Sequence, residues 1–390
     1  MMFRRVPSLD WDVSVLGVGA GVAPGAPPAA DSPPSEFVEL FRRAVDNGVN
    51  YLDLGWFSGM ENCSPWSETV GAALADGYRE RVRIAANVPS STAATREEWV
   101  RFVEDLTGAL GVDALDFCIV GGVDRSAWEC LVEAGLPEWA DRVVEEGPVA
   151  ALGFDICDDS HTLGQILADF GGWSLCKMRY GFWDHLKSRP GSTGVMSAAD
   201  RGLMVVAAEP TRGSLAWHGG DGSAADVLGG IAGLDGPVDE WSLRWIWDDP
   251  GVSTVVCDLT SEAELSRWLE LADGAEPGSL SISELTALNR VKDHYVKTRP
   301  IPCTACRTCL PCPEGIDIPR VLDLWNDASA YGGIDNARAT YGMEQHAASA
   351  CTACGRCEET CPWTLSIIQS LERSADLFEC RSGEGGEHRG

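Results

Sequence analysis

The chain has 390 residues and a formal net charge of −29, with 59 acidic and 30 basic side chains. This excess of carboxylates argues against binding to nucleic acid or to an anionic membrane surface, both of which attract basic proteins. No apolar run reaches the roughly 18 residues of a membrane-spanning helix, and no signal peptide follows the arginines near the N-terminus. We therefore expect a cytoplasmic protein of more than one domain.

Short apolar runs and helix-like segments alternate along the first 280 residues. Amphipathic segments such as "SEFVELFRRAVDNG" and "REEWVRFVEDLTGALG" separate the runs. Apolar strands that alternate with helices are typical of a parallel sheet covered on both faces. Eight repeats in about 250 residues favour an α/β fold, a closed (β/α)8 TIM barrel over residues 1–280, with an open doubly wound sheet as the alternative. The candidate strands are 13–21, 50–55, 82–88, 115–122, 149–156, 175–182, 203–210 and 252–259.

Polar residues where these strands end are the candidates for chemistry, because TIM barrels place their sites at the C-terminal ends of the strands. Asp53, Asn87 and Glu209 are the candidate catalytic residues. Strand alternation predicts that Lys177 and Arg179 share one face of their strand. A wider polar set comprises Asp155, Lys177, Arg179, Tyr180, His185 and Glu209, with Tyr180 on the other face of its strand.

Two cysteine motifs lie near the end of the chain. Three cysteines at two-residue spacing followed by Cys-Pro are typical of a [4Fe–4S] site, whereas structural zinc usually binds two separated pairs. Disulfides are not expected in a reducing cytosol. We therefore predict two [4Fe–4S] clusters and keep structural zinc as the alternative. "CTACRTCLPCP" contains Cys303, Cys306, Cys309 and Cys312, and "CTACGRCEETCP" contains Cys351, Cys354, Cys357 and Cys361.

When two such motifs occur together, the fourth cysteine of each usually binds the other cluster. The segments "IPRVLDLWNDASAY" and "LSIIQSLERSADLFE" have apolar residues at helical spacing. We therefore predict a helical two-cluster ferredoxin-like domain over 281–378 and a disordered tail over 379–390. The predicted ligand sets are Cys303, Cys306, Cys309 and Cys361 for one cluster, and Cys351, Cys354, Cys357 and Cys312 for the other.

Cysteines outside the motifs are scattered. Cys63 and Cys157 follow predicted strands and are the two that we consider for chemistry. Each is either a reactive thiol or a small apolar residue of the core, where free cysteine is commonly found.

The chain resembles the aldo/keto reductases, in particular the bacterial branch that carries a C-terminal 4Fe–4S dicluster domain. Three segments are similar to the family's second strand, seventh strand and cluster motif: "AVDNGVNYLDLGWF", "GLMVVAAEPTRGSLA" and "CTACRTCLPCPEGIDIPRV". The resemblance implies a TIM barrel, an oxidoreductase, and hydride transfer between NADPH and a carbonyl by a tetrad of Asp, Tyr, Lys and His.

Carried over to this sequence, the tetrad is incomplete. The aspartate is Asp53, but Ser58, Asn87 and Gly121 occupy the places of the tyrosine, lysine and histidine. Without the phenol, the ammonium and the imidazole, carbonyl reduction by this route should be very weak.

The resemblance also places the nicotinamide cofactor after the last two strands. Arg212 and Gly213, close to Glu209, are the candidate cofactor-binding residues. The loop after the eighth strand carries several carboxylates, which repel phosphate, and one arginine that compensates in part. NAD(P)H therefore remains an alternative cofactor. These residues are Asp258, Glu262, Glu264 and Arg267.

Two functions remain open. In the first, the protein is an oxidoreductase whose clusters pass electrons to or from a small-molecule substrate at the barrel mouth. Its expected partner is a redox protein: a ferredoxin, a flavodoxin or a reductase. In the second, the barrel is an inactive scaffold and the chain is an electron-transfer protein for another enzyme.

Overall fold

The computed structural model describes residues 1–20, 34–56, 64–90, 95–182, 189–210, 234–259, 261–331, 334–343 and 346–379. The chain divides into two compact units. Unit 1 comprises Met1–Asp184, Arg189–Arg212 and Gly236–Asn289, and unit 2 comprises His185–Ser188, Gly213–Asp235 and Arg290–Gly390. Within the described ranges, no helix is both long and apolar enough to cross a membrane.

Unit 1 is built around a closed barrel of eight parallel strands, which confirms the TIM-barrel prediction. A hairpin of β1 (Phe3–Val6) and β2 (Trp11–Ser14) precedes the barrel. Strand β10 pairs with β3 and closes the sheet. The barrel strands are β3 (Leu16–Gly19), β4 (Tyr51–Trp56), β5 (Arg83–Pro89), β6 (Leu115–Val123), β7 (Val149–Ile156), β8 (Trp173–Arg179), β9 (Met204–Ala208) and β10 (Thr254–Asp258).

Helices of unit 1 follow the strands. Four of them begin at a side chain that accepts a backbone N–H of the first turn, and such caps fix where a helix starts after a loop. The capping residues are Thr95, Asp124, Asp159 and Ser261. The described helices are α1 (Pro34–Asp46), α2 (Ser64–Leu74), α3 (Arg96–Leu110), α4 (Arg125–Glu133), α5 (Leu136–Glu146), α6 (Ser160–Asp169), α7 (Gly191–Ala199), α8 (Val238–Asp248) and α9 (Glu262–Ala272).

Alternation along the strands separates two apolar layers. Outward residues such as Leu52 belong to the core that includes the helices. Inward residues, among them Tyr51 and Leu175, fill the barrel together with Val6 and Val13 of the hairpin, which therefore closes the N-terminal end. Further along the strands, the inward positions become polar. This change from apolar to polar side chains places the candidate site at the C-terminal end of the barrel.

Unit 2 is helical around the cysteine motifs. The side chain of Asn326 binds both backbone groups of Ile301, accepting the N–H at 2.9 Å and donating to the carbonyl at 2.8 Å. This fixes the chain two residues before Cys303. The remaining helices are α10 (Ile282–Thr298), α11 (Ile318–Tyr331), α12 (Ile334–Met343), α13 (Arg356–Thr360) and α14 (Ile367–Phe378).

Candidate functional site

A buried ion pair spans the mouth of the barrel. Lys177 Nζ donates to Asp53 Oδ2 at 2.7 Å, and the two side chains are only 9% and 2% exposed. The other oxygen of Asp53 accepts the N–H of Gly55 at 2.8 Å. Burial alone would lower the pKa of Lys177, but the charges of Asp53 and Asp155 outweigh it and raise the pKa above its usual value. Since β4 and β8 lie on opposite sides of the barrel, the lysine reaches across the mouth.

Asp155 lies directly beside this pair. It is the Cα partner of Lys177 on the neighbouring strand, and it is buried. Burial raises the pKa of Asp155 to about 6, against the opposing effect of Lys177 and Arg179. A carboxyl group with such a pKa exchanges its proton close to neutral pH, which is the property that acid–base catalysis requires.

Asn87 occupies a fully buried inward position on β5. Neither its amide nitrogen nor its amide oxygen has a hydrogen-bond partner within the described residues. Leaving a buried polar group unpaired costs about 1–3 kcal/mol, and such groups are usually satisfied by a ligand or by water. Asn87 therefore offers one donor and one acceptor to a bound molecule.

Glu209, directly after β9, has an unusual backbone conformation with φ of 50°. A residue other than glycine pays about 1–3 kcal/mol for this left-handed region, and such strain is concentrated at functional sites. Its carboxylate binds Arg179 with 2.6 Å between Nε and Oε1. The structure thus places a second ion pair, more exposed than the first, at the ends of β8 and β9.

Other predicted residues lie elsewhere or outside the described ranges. Tyr180 faces outward, where its hydroxyl donates to Asp249 Oδ2 at 2.7 Å. Cys157 is half-buried, and burial raises the pKa of its thiol to about 12, which argues against a reactive thiolate at neutral pH. The predicted residues outside the described ranges are Cys63, His185, Arg212, Gly213 and Ser58.

The first turn of α9 follows the last barrel strand. Glu262 forms an ion pair with Arg43, and Glu264 accepts a hydrogen bond from the capping Ser261. Arg267, which the sequence offered as a compensating charge, binds Asp239 at 2.7 Å between Nη2 and Oδ2. A helix N-terminus can bind phosphate, but carboxylates in the first turn oppose it.

Gly19 and Asp258 are Cα partners on the adjacent strands β3 and β10, at the C-terminal end of the barrel. A Cβ atom on Gly19 would come within 2.2 Å of Asp258 Oδ1. A side chain at this position would require the exposed Asp258 carboxylate on the adjacent strand to rotate away.

The eight motif cysteines line two cavities in unit 2. Cysteine thiols gathered around each cavity are the donor set that [4Fe–4S] clusters use. Cys312, Cys351, Cys354 and Cys357 line the first cavity, Cys303, Cys306 and Cys361 line the second, and Cys309 lines both.

The two motifs share one backbone pattern and interlock. Left-handed residues occur at equivalent positions of both motifs. Trp363 Nε1 donates to Thr304 Oγ1 at 3.1 Å, and the Thr352 hydroxyl donates to Glu314 Oε1 at 3.1 Å. In each case a threonine of one motif contacts the second residue after the last cysteine of the other. The equivalent left-handed pairs are Ala305 and Ala353, Arg307 and Gly355, and Gly315 and Thr364.

The aldo/keto reductase family model matches residues 15–216, which is more than half of the chain. The chain belongs to the aldo/keto reductase family. A 4Fe–4S dicluster domain matches residues 302–366. An aldo/keto reductase barrel joined to a 4Fe–4S dicluster domain indicates an iron–sulfur oxidoreductase.

Solved structures of aldo/keto reductases share the barrel. The holo form of an enzyme from Bacillus halodurans is 19% identical, with a TM-score of 0.59 over 75% of this chain and 96% of that chain. A thermostable aldo-keto reductase in complex with the inhibitor epalrestat gives the same identity and TM-score over 75% and 100%. An aldo-keto reductase from Klebsiella pneumoniae in complex with NADPH is 19% identical, with a TM-score of 0.56 over 73% and 93%. At these identities the similarity shows the fold alone.

Proposed function

We propose that the protein is an oxidoreductase that acts on a small carbonyl compound or its alcohol in the barrel mouth, with two [4Fe–4S] clusters as its electron carriers. The observation that carries the proposal is the buried Asp53–Lys177 pair together with the unpaired amide of Asn87 on the strand next to that of Asp53. In an inactive scaffold, apolar side chains of similar volume would be at least as stable. Buried charges and an open amide are therefore best understood as a binding site.

The cysteines of unit 2 supply the ligands in this proposal. One set is Cys303, Cys306, Cys309 and Cys361, and the other is Cys351, Cys354, Cys357 and Cys312. The cavity linings and the crosswise threonine contacts support this division. When bound, the clusters supply one-electron transfer.

Residues of the mouth bind and orient the substrate. The ammonium of Lys177 is held by Asp53, and with the amide of Asn87 it offers hydrogen-bond donors to a substrate oxygen. Glu209 and Arg179 form the rim. Reduction of a carbonyl to an alcohol consumes two electrons and two protons. A redox protein, such as a ferredoxin, a flavodoxin or a reductase, supplies the electrons.

Because a redox protein supplies the electrons, the proposed reaction does not need NAD(P)H. The first turn of α9 carries Glu262 and Glu264, and Arg267 is paired with Asp239. This arrangement disfavours a phosphate beside that helix.

Turnover of the cluster-loaded protein tests the proposal. Under anaerobic conditions, with reduced methyl viologen as the donor, a panel of small aldehydes and ketones should include compounds that are reduced to alcohols. Asn87→Ala should lower kcat/KM, while Asn47→Ala, at an exposed position, should not. NADPH should not replace the viologen.

Other outcomes would contradict the proposal. Equal turnover with NADPH would restore the nicotinamide mechanism. No turnover of any compound, together with rapid electron transfer to a ferredoxin or flavodoxin, would favour the scaffold alternative.

A further inference from the structure

We propose that Asp155 is the proton donor of the barrel mouth and that Lys177, held by Asp53, binds the substrate oxygen, so that β7 and β8 supply the acid and the lysine that are missing from the family positions. The inference rests on the proposed function and names the acid–base residues of that same site.

The geometry places the two side chains together. Asp155 and Lys177 are Cα partners on β7 and β8, and both face inward in the polar layer above the apolar barrel core. Lys177 is held across the mouth by Asp53. The family lysine position on β5 holds Asn87 instead. The ammonium has thus moved to β8 while its contact with the aspartate is kept.

Asp155 is the carboxyl group that is available for proton transfer. Both oxygens of Asp53 accept hydrogen bonds, one from Gly55 and one from Lys177. Glu209 is bound to Arg179 at the more exposed rim. In the part of the chain that the structure describes, no hydrogen bond ends on the Asp155 carboxylate, which leaves its oxygens open to a substrate.

Two other weak acids of the barrel are poorly suited as proton donors: Tyr51 in the apolar interior and Cys157 directly after β7. Burial, and after it the charge of Asp53, raise the pKa of Tyr51 well above its usual value. Burial also raises the pKa of Cys157 to about 12. Neither group therefore exchanges protons readily at neutral pH.

The charged groups around Asp155 set its protonation. Burial is the largest effect and favours the neutral acid, Lys177 and Arg179 favour the carboxylate, and Glu209 and Asp53 favour the acid again. Asp258 acts on the same network through Lys177. Burial and opposing charges together bring the pKa of Asp155 to about 6.

The chemistry balances with this assignment. A carbonyl compound accepts two electrons from the reduced redox protein and two protons, and becomes an alcohol. Asp155 gives one proton to the carbonyl oxygen, which Lys177 holds by a hydrogen bond. Solvent supplies the proton that reaches carbon and returns the proton to Asp155.

Infrared titration of the oxidised, cluster-loaded protein tests the inference without any substrate. The C=O stretching band of a carboxylic acid should titrate near pH 6 in the parent protein, and Asp155→Asn should remove it. Lys177→Met should move the midpoint up by about one pH unit or more, because the ammonium no longer favours the carboxylate. Lys177→Arg keeps the positive charge, so its midpoint should lie close to that of the parent protein.

Kinetics supply the second readout, with methyl viologen as donor and the best carbonyl compound of the panel. Asp155→Asn should lower kcat roughly 100-fold or more and remove the decline of kcat above pH 6. If the parent turns over and Asp155→Asn keeps its rate and pH profile, the inference fails while the proposed function stands. If the parent does not turn over at all, the proposed function fails. The inference would also be overturned if the titrating band persists in Asp155→Asn, or if its midpoint is the same in Lys177→Met as in the parent.

Discussion

Breaking the buried Asp53–Lys177 ion pair should lower the free energy of unfolding. A second substitution that removes the remaining charge should recover part of this loss. Lys177→Met keeps the length of the side chain but removes the ammonium from the Asp53 carboxylate, which is 2% exposed and keeps its hydrogen bond from the Gly55 N–H. At a separation of 2.7 Å and an effective dielectric constant of about 20, the attraction is about 6 kcal/mol, most of which offsets desolvation. Removing one partner of such a pair costs about 3–5 kcal/mol.

A double-mutant cycle separates this effect from lost packing. Asp53→Asn together with Lys177→Met removes both charges, and we expect a coupling energy of about 3 kcal/mol between the two sites. Urea unfolding of the cluster-loaded protein, followed by tryptophan fluorescence, gives the four free energies of unfolding.

An exposed pair provides the matched control. Arg81 and Asp46 are separated by the same 2.7 Å but are 45% and 53% exposed, so Arg81→Met should change stability much less. A coupling energy below about 0.5 kcal/mol between Asp53 and Lys177 would refute the reasoning, because distant independent sites already show that much.

Three further predictions concern the mouth and the motifs. Since burial raises the pKa of Asp155 from 3.8 to about 6, its ionisation destabilises the folded protein as the pH rises through this range; Asp155→Asn should gain stability relative to the parent, reaching about 3 kcal/mol above pH 7. Unfolding free energies measured from pH 4 to pH 8 check this, and a difference that does not vary with pH would contradict it. Gly19→Ala should cost about 1 kcal/mol in urea unfolding because the exposed Asp258 carboxylate must rotate away from the new Cβ, and Asp258→Ser should relieve most of the cost. If Gly19→Ala is neutral, the crowding is not real. Cys312→Ala and Cys361→Ala should each disturb a different cluster, so the two variants should lose different electron paramagnetic resonance signals after reduction; loss of the same signal in both would argue against crosswise ligation.

Long apolar runs made the barrel predictable, because each buried parallel strand leaves a continuous signal in the sequence. The hairpin was missed, since "FRRV" and "WDVS" mix charged and apolar residues, and the first predicted strand therefore included Val13 and Ser14 of β2. Alternation along β8 correctly separated Lys177 from Tyr180.

The contact between Lys177 and Asp53 could not be predicted in the same way. The two residues are 124 positions apart, and they meet only because the closed barrel brings β4 and β8 to opposite sides of one narrow mouth. The residues around each position in the sequence do not indicate that the two side chains meet in space. The repeated "CTAC" could have indicated that Thr304 and Thr352 are equivalent, but their partners, Trp363 and Glu314, share no chemistry.

A single-turnover experiment tests most directly whether the mouth exchanges electrons with a substrate. The cluster-loaded protein is reduced with dithionite under anaerobic conditions, freed of excess reductant, and mixed with the most reactive carbonyl compound of the panel. Visible absorption follows oxidation of the clusters, and the alcohol is quantified. We predict rapid reoxidation with formation of alcohol in the parent, and reoxidation at least roughly 100-fold slower in Lys177→Met of equal iron content. Equal rates in the two proteins, or reoxidation without alcohol, would contradict a catalytic mouth.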